Sequence, residues 1–290
     1  MKFQRPNASV LDIVHKMKSK DTKHLYAMSD IHFDSVKCDL NLLAKHLSLA
    51  AETKSPVLIG GDLFDVMQSH DDPRRSLEEL QSEYKHDSYL DLVVLDAAKF
   101  LSKFNVPYII GMGNHETAVL RKNNTNLIER LVYALNTSGG EAYSMGYWGF
   151  IRMIFQYEKG GDRSTKTLYW HHGFGASAPV TRGVIDTARQ AAYLPDADVV
   201  INGHNHQEYV VTLNRIRLSN SGIPYEQYQH FVRTPGYKKA GLVHGDKFGF
   251  DIEKMPAPTT RGCVRLDFNY LHGSSKTRSV LDISPVALLS

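Results

Sequence analysis

The stretch His24-Leu25-Tyr26-Ala27-Met28-Ser29-Asp30-Ile31-His32 decides the fold. Its first six residues read as a buried strand that runs directly into an acid and a histidine. The same shape recurs along the chain. Pro56-Val57-Leu58-Ile59 leads into Gly60-Gly61-Asp62, and Val106-Pro107-Tyr108-Ile109-Ile110 leads into Gly113-Asn114-His115. Thr167-Leu168-Tyr169-Trp170 leads into His171-His172, and Asp198-Val199-Val200-Ile201 into His204. Apolar residues near helical spacing predict helices over 38–53, about 76–104, about 122–135 and 183–194. Strand–helix alternation of this kind, followed by hairpins, predicts an α/β domain with mixed sheets. Asp30, Asp62, Asn114, His171 and His204 each fall at or just past a strand end, the edge where α/β sheets collect ligands.

Outside this frame the signals are weaker. Residues 1–22 are polar and mixed in charge, and read as a short helix or arm packed on a main domain spanning 23–290. Tyr143–Phe155 reads as a hairpin turning near Gly146-Tyr147-Trp148-Gly149. Strand-like runs follow at Glu208–Leu213, Phe248–Ile252 and Val264–Phe268, with a Pro-containing loop at 254–261 and an extension of the domain after about 220. An insertion at about 66–92 carries Asp71-Asp72-Pro73-Arg74-Arg75 as an exposed loop. Arg182 and Arg189 read as surface residues, and Tyr225–Tyr237 as packing.

Composition narrows the classes. With 290 residues, 42% hydrophobic, and a net charge of +3, the chain is neither disordered nor low-complexity. Two cysteines, Cys38 and Cys263, exclude a disulfide scaffold and read as buried small residues. No apolar run reaches the roughly 18 residues of a membrane helix, and the first residues lack the apolar core of a secretion signal. A cytoplasmic setting is the expectation, with no membrane partner and an oligomeric state left open.

Histidine is abundant, with 14 in the chain, and many fall into five short motifs. These are Asp30-Ile31-His32, Gly61-Asp62-Leu63-Phe64-Asp65, Gly113-Asn114-His115-Glu116, His171-His172-Gly173 and Gly203-His204-Asn205-His206. Their carboxylates, amide and imidazoles suit Mn, Fe, Zn, Co or Ni better than Ca. They are too many for one ion, whereas two ions sharing a carboxylate would use them all. Taken singly, an Asp or Asn after a strand is an ordinary turn former or helix cap. His204 and His206 alternate along a segment read as extended, so both would point the same way.

The ordered set resembles the calcineurin-like metallophosphoesterase superfamily. The resemblance spans residues 30–206 and implies a four-layer αββα sandwich of two mixed β-sheets flanked by helices. It implies that Asp30, His32 and His206 hold a first metal, that Asn114, His204 and one of His171 and His172 hold a second, and that Asp62 bridges both. His171 is preferred, because the family's ligand usually stands two residues before a Gly or Pro; His172 would then orient a ligand or face substrate. His115 would sit beside the metals without ligating them and serve the phosphate or protonate the leaving oxygen. Asp65 would orient a ligand, Glu116 would orient His115 or cap the next helix, and Gly60, Gly61, Gly113 and Gly203 would let the backbone turn. The implied activity is two-metal phosphoester hydrolysis with a metal-bridging hydroxide as nucleophile and manganese as the foremost cofactor. A general acid leans the reading towards phosphodiesters of small molecules or nucleotides, with phosphomonoesters as an alternative. Gly-Asp-Leu-Phe-Asp is similar to the repair-nuclease branch, so a DNA or RNA nuclease is a further alternative. The short tail after 206 and the lack of a dense Lys/Arg cluster speak against it. A non-catalytic scaffold is the remaining reading, disfavoured because no ligand is missing.

Overall fold

The computed structural model describes residues 1–66, 79–158, 163–175, 184–240, 245, 259–271 and 280–290. Thirteen strands run β1 (Lys2–Asn7), β2 (Val10–Met17), β3 (Thr22–Met28), β4 (Val57–Ile59), β5 (Tyr108–Ile110), β6 (Ala142–Ser144), β7 (Trp148–Tyr157), β8 (Arg163–His171), β9 (Val199–Asn202), β10 (Tyr209–Leu218), β11 (Pro224–Arg233), β12 (Gly262–Leu271) and β13 (Val280–Leu289). The α-helices are α1 (Leu40–Glu52), α2 (Tyr89–Leu101), α3 (Asn114–Asn123), α4 (Leu127–Thr137) and α5 (Val184–Tyr193).

The strands form two mixed sheets. One has seven strands in the order β1-β2-β7-β8-β9-β11-β10, the other six in the order β13-β12-β3-β4-β5-β6. Strands β3, β4, β5 and β6 are mutually parallel, so their C-terminal ends share one edge. The period-two alternation of side chains then assigns the layers. Leu25, Ala27, Leu58 and Ile109 point inward and meet Ile151, Phe155, Leu168, Trp170, Ile201 and Val232 of the other sheet. Their neighbours Tyr26, Met28, Val57, Ile59, Tyr108 and Ile110 point outward onto Leu43 and Leu47 of α1, Val93 and Ala97 of α2, and Ile128 and Leu131 of α4. Ala191 of α5 packs against Val200 and Phe231 on the outer face of the seven-stranded sheet. The result is a helix–sheet–sheet–helix sandwich, the expected fold class.

Several local readings change. Residues 1–22 hold the hairpin β1–β2 and the start of β3, not a helix; β2 pairs parallel with β7, and buried Leu11 and Ile13 alternate into the core, a period-two signal hidden among charged residues. Tyr143–Phe155 is not a hairpin: β6 and β7 belong to different sheets, and the glycine-rich turn carries the chain between them. The helix expected at about 122–135 is two helices, since Asn124 takes a left-handed φ of 50° and Asn126 caps α4 by accepting from the Ile128 and Glu129 amides. The helix expected over about 76–104 is α2 alone, preceded by a single 3₁₀ turn at Ser82–Tyr84 and followed by another at Ser102–Phe104. Val280–Leu289 is a strand with no counterpart in the sequence reading, and among the described residues it stands at the sheet edge beside β12. The Asp71–Arg75 loop, the run Phe248–Ile252, most of the loop 254–261 and Arg182 lie outside the described residues. No helix among the described residues is long and apolar enough to cross a membrane.

Candidate metal centre

Strand ends deliver the polar residues to one place. β3 ends two residues before Asp30, β4 three before Asp62 and β9 two before His204, while α3 opens on Asn114. The backbone at this edge is unusual. Asp30, His32, Asp62, His204 and His206 all have positive φ, between 48° and 74°. Left-handed non-glycine residues cost of order 1–3 kcal/mol each and gather at functional sites. This corrects the extended reading of 204–206: two left-handed residues aim the two imidazoles at different clusters. Of the glycines, Gly61 has a positive φ of 94°, but Gly113 has a φ of −104°. Gly113 is needed for space, since a Cβ there would lie 2.0 Å from Asp62 Oδ1.

Three groups of donor atoms form, each within 4.8 Å: Asp30, His32 and His206; Asp62, His172 and His204; and His32, Asp65 and His115. In the first, His32 Nε2 and His206 Nε2 face each other at 3.3 Å, and Asp30 Oδ1 lies 3.5 Å from His206 Nε2. Asp30 Oδ1 is buried with no hydrogen-bond partner, while Oδ2 accepts from Ser29 Oγ and from the His204 amide at 2.9 Å. An orphaned carboxylate oxygen beside two converging imidazole nitrogens fits a divalent cation, which would supply what the buried acceptor lacks.

In the second group, His172 Nε2 lies 3.2 Å from Asp62 Oδ2 and 3.1 Å from Asn114 Oδ1. His172 Nδ1 donates to the Gly60 carbonyl at 2.9 Å, which leaves Nε2 as the nitrogen turned to the cluster. His171 is therefore corrected: it belongs to none of these groups. Its Nδ1 accepts from the Gly173 amide at 2.9 Å, and its ring meets Tyr147 and Phe174 edge-on. β8 continues inward through Trp170, so the next inward-facing position is His172, one residue beyond the strand; counting back from the glycine misses this.

Burial and charge shape the protonation states. Burial alone would raise the Asp62 carboxyl, but the His115 and His172 imidazoles hold it well below the usual carboxylate range. Burial works against the charged form of His172, yet Asp62 outweighs it and brings His172 up to about 10. Burial lowers His206 to about 4 despite Asp30, so it presents a neutral ring.

Around these lie residues that fix the loops. Glu116 is fully buried and accepts from the amides of Asp62 at 3.1 Å, Phe64 at 2.9 Å and Gly113 at 2.7 Å. It thus holds the Asp62 loop and caps the start of α3, and none of these three bonds is to His115. Asp34, unremarked in the sequence, is buried and accepts from the Asp65 and Val66 amides at 2.6 and 3.0 Å and from the Tyr89 hydroxyl. Asp65 Oδ1 lies 2.7 Å from His32 Nδ1. His115 is buried, with Nδ1 bonded to the Asp65 carbonyl and Nε2 3.7 Å from Asp62 Oδ2. The acid at 34 could have been found from its place two residues after His32; nothing in the sequence marks the reach of Glu116.

The family model described as calcineurin-like phosphoesterase matches residues 23–208, more than half of the chain. No curated protein matches. Among solved structures, "GAP50 the anchor in the inner membrane complex of Plasmodium" is 12% identical, covers 92% of this chain and 89% of its own, with a TM-score of 0.40. A predicted phosphoesterase from Streptococcus pneumoniae TIGR4 is 10% identical, covers 92% of this chain and all of its own (100%), with a TM-score of 0.32. A protein of unknown function from Aquifex aeolicus is 14% identical over 63% of this chain and 80% of its own, with a TM-score of 0.32. With five motifs in order at the sheet edge and the family model spanning them, the chain belongs to the calcineurin-like phosphoesterase family of metal-dependent hydrolases.

Proposed function

We propose that this protein is a two-metal phosphodiesterase. Asp30, His32 and His206 hold one ion, Asn114, His172 and His204 a second, and Asp62 touches both. The observation that carries this reading is the Asp62 carboxylate, whose Oδ2 lies 3.2 Å from His172 Nε2 while its loop, through the Asp62 carbonyl, accepts from the Ile31 and His32 amides at 2.9 and 3.1 Å. Carboxylate, amide and imidazole donors without thiolate suit manganese, iron, zinc, cobalt or nickel, and manganese is the ion we put first. When bound, the two ions would supply Lewis acidity and an activated water. Two free buried cysteines suit a reducing, cytoplasmic setting.

The chain's own residues do the rest. Together with the ions, Asn114 and His115 would stabilise the charge on the phosphoryl oxygens. His115 keeps Nδ1 on the Asp65 carbonyl, so a proton carried by its other nitrogen, Nε2, faces the site. Burial lowers the basicity of this ring, although Asp62 opposes that, so its imidazolium gives up a proton readily. A general acid of this kind contributes roughly 10²–10⁴-fold, most for poor leaving groups. Alkyl and nucleotide phosphodiesters are such substrates, which is why the reading leans to diesters.

The test is a panel of bis-p-nitrophenyl phosphate, p-nitrophenyl phosphate, cyclic nucleotides and single- and double-stranded DNA, each with Mn, Zn, Ni and Mg. Diester turnover above monoester turnover with Mn supports the reading; monoester preference overturns it, and turnover of DNA alone moves it to a nuclease. His115→Ala should keep both ions yet lose roughly 10²–10⁴-fold on a nucleotide ester, and less on the activated aryl ester. Metal loss in that variant, or equal losses on both esters, would assign His115 to the ligand set.

Metal uptake should also depend on pH. His172 holds a proton up to about pH 10 in the metal-free protein, and a ligand nitrogen must surrender it. Affinity should therefore rise with pH, about tenfold per unit for each proton displaced. Manganese titration calorimetry in two buffers of different ionisation enthalpy should report close to one proton released per second-site ion near neutrality. No buffer dependence would contradict the placement of His172.

A further inference from the structure

The family match ends at residue 208, but the chain returns to the centre after it. Residues 234–239 form a strap behind the first cluster. Thr234 Oγ1 meets Ser29 Oγ at 2.6 Å and donates to the Asn202 carbonyl at 3.1 Å. The Tyr237 amide donates to the Asp30 carbonyl at 2.9 Å, and the Lys239 amide to the Lys37 carbonyl at 2.9 Å. Gly236 lets the strap approach, since a Cβ there would lie 2.8 Å from His206 Nδ1. The strap thereby delivers one cation. Lys238 Nζ sits 2.6 Å from Glu79 Oε2 and 3.6 Å from Asp65 Oδ1. That same Asp65 oxygen lies 2.7 Å from His32 Nδ1. Lys37 Nζ takes the other oxygen of Glu79 at 2.8 Å.

Burying two ammonium groups is costly, and a buried ion-pair cluster is often matched in stability by apolar residues of the same volume. Stability alone is thus a weak reason for this arrangement. What it does is geometric. Asp65 has a second imidazole within reach, since its Oδ1 lies 3.8 Å from His115 Nδ1. A cation beside Asp65 Oδ1, itself anchored on Glu79, biases where that oxygen sits between the two imidazoles. With Asp65 fixed on His32 Nδ1, the His32 ring turns Nε2 toward His206 and Asp30. Outer-shell partners of metal-binding histidines act in this way, and losing one costs roughly 10–100-fold in metal affinity or activity.

We propose that Lys238 is a positioning residue of the metal centre, acting through Asp65 to hold His32 in its ligating orientation. The proposal rests on the two-metal reading for its consequence but not for the contact itself.

A double-mutant cycle on the full chain tests it, using Lys238→Met, Asp65→Asn and the double variant. Each single variant should lose roughly 10–100-fold in kcat on bis-p-nitrophenyl phosphate with KM little changed, because neither group touches substrate. The double variant should be no worse than about threefold below the weaker single, since neighbours that act as a unit are not additive. Lys238→Arg, which keeps the charge, should recover most of the loss. The same cycle is read in the thermal midpoint of the metal-free protein, where the Lys238–Asp65 coupling needs no ion. Should Lys238→Met fail to fold, Lys238→Gln runs the same cycle with the same criteria. Multiplying losses in the double variant, additive shifts in the midpoint, or an effect on KM alone would overturn the proposal. A wild-type chain that binds no metal would overturn the two-metal reading instead, and the metal-free cycle would still decide the link between Lys238 and Asp65.

Discussion

Asp62→Asn should remove more activity than any other single substitution in the centre, well beyond the roughly 10–100-fold typical of an orienting residue. The reason is position. Asp62 Oδ1 accepts from the His115 amide at 3.0 Å, and Oδ2 faces His172 Nε2 at 3.2 Å. The carboxylate is held well below its ordinary titration range, so it stays charged at any working pH. An amide in its place keeps the size and loses the charge that, on the two-metal proposal, both ions would need. Asp65→Asn changes the same chemistry one step further out, chiefly at His32, and should fall within the roughly 10–100-fold range. The comparison is made by kcat and metal content on both variants. Equal losses with metals retained would show that Asp62 does not bridge.

The second large effect separates two adjacent histidines. His172→Ala should drop metal content from two ions to one and cost more than 100-fold in kcat, since it deletes a ligand rather than an orienting group. His171→Ala should keep both ions and most of the activity, because its ring packs against Tyr147 and Phe174 and its Nδ1 accepts from the Gly173 amide. Elemental analysis of both variants decides it. Metal loss in His171→Ala with His172→Ala intact would reverse the assignment.

The pair also shows what the sequence carried and what it did not. Strands β3, β4, β5 and β9 were legible because each is a short apolar run ending at a polar residue, and the order of those endings located the sheet edge. The gathering of Asp30, His32, Asp62, Asn114, His204 and His206 at that edge was legible because each sits within a few residues of such an ending. The sequence favours His171, whereas His172 is the one turned to the Asp62 cluster, because that depends on which way the strand faces at its end, set by Trp170 seated in the core. β1 and β2 were missed because β1 is exposed almost throughout and β2 buries Asp12 and His15 among its apolar residues, so neither reads as a plain apolar run. β6 and β7 were read as a hairpin because nothing local tells a tight turn from a crossing between sheets. Glu116, Asp34 and Lys238 act across 31 to 173 residues of chain, through contacts that only the closed sandwich creates. Lys238 in particular has no local signature, since it is an ordinary lysine until the strap brings it against Asp65.

The most direct test of the centre is diffraction from crystals grown with manganese, with data collected at its absorption edge. The account predicts two anomalous peaks roughly 3.5–4 Å apart, with Asp62 between them, His172 on one and His32 on the other. A single peak, or two peaks with Asp62 on only one of them, would contradict it.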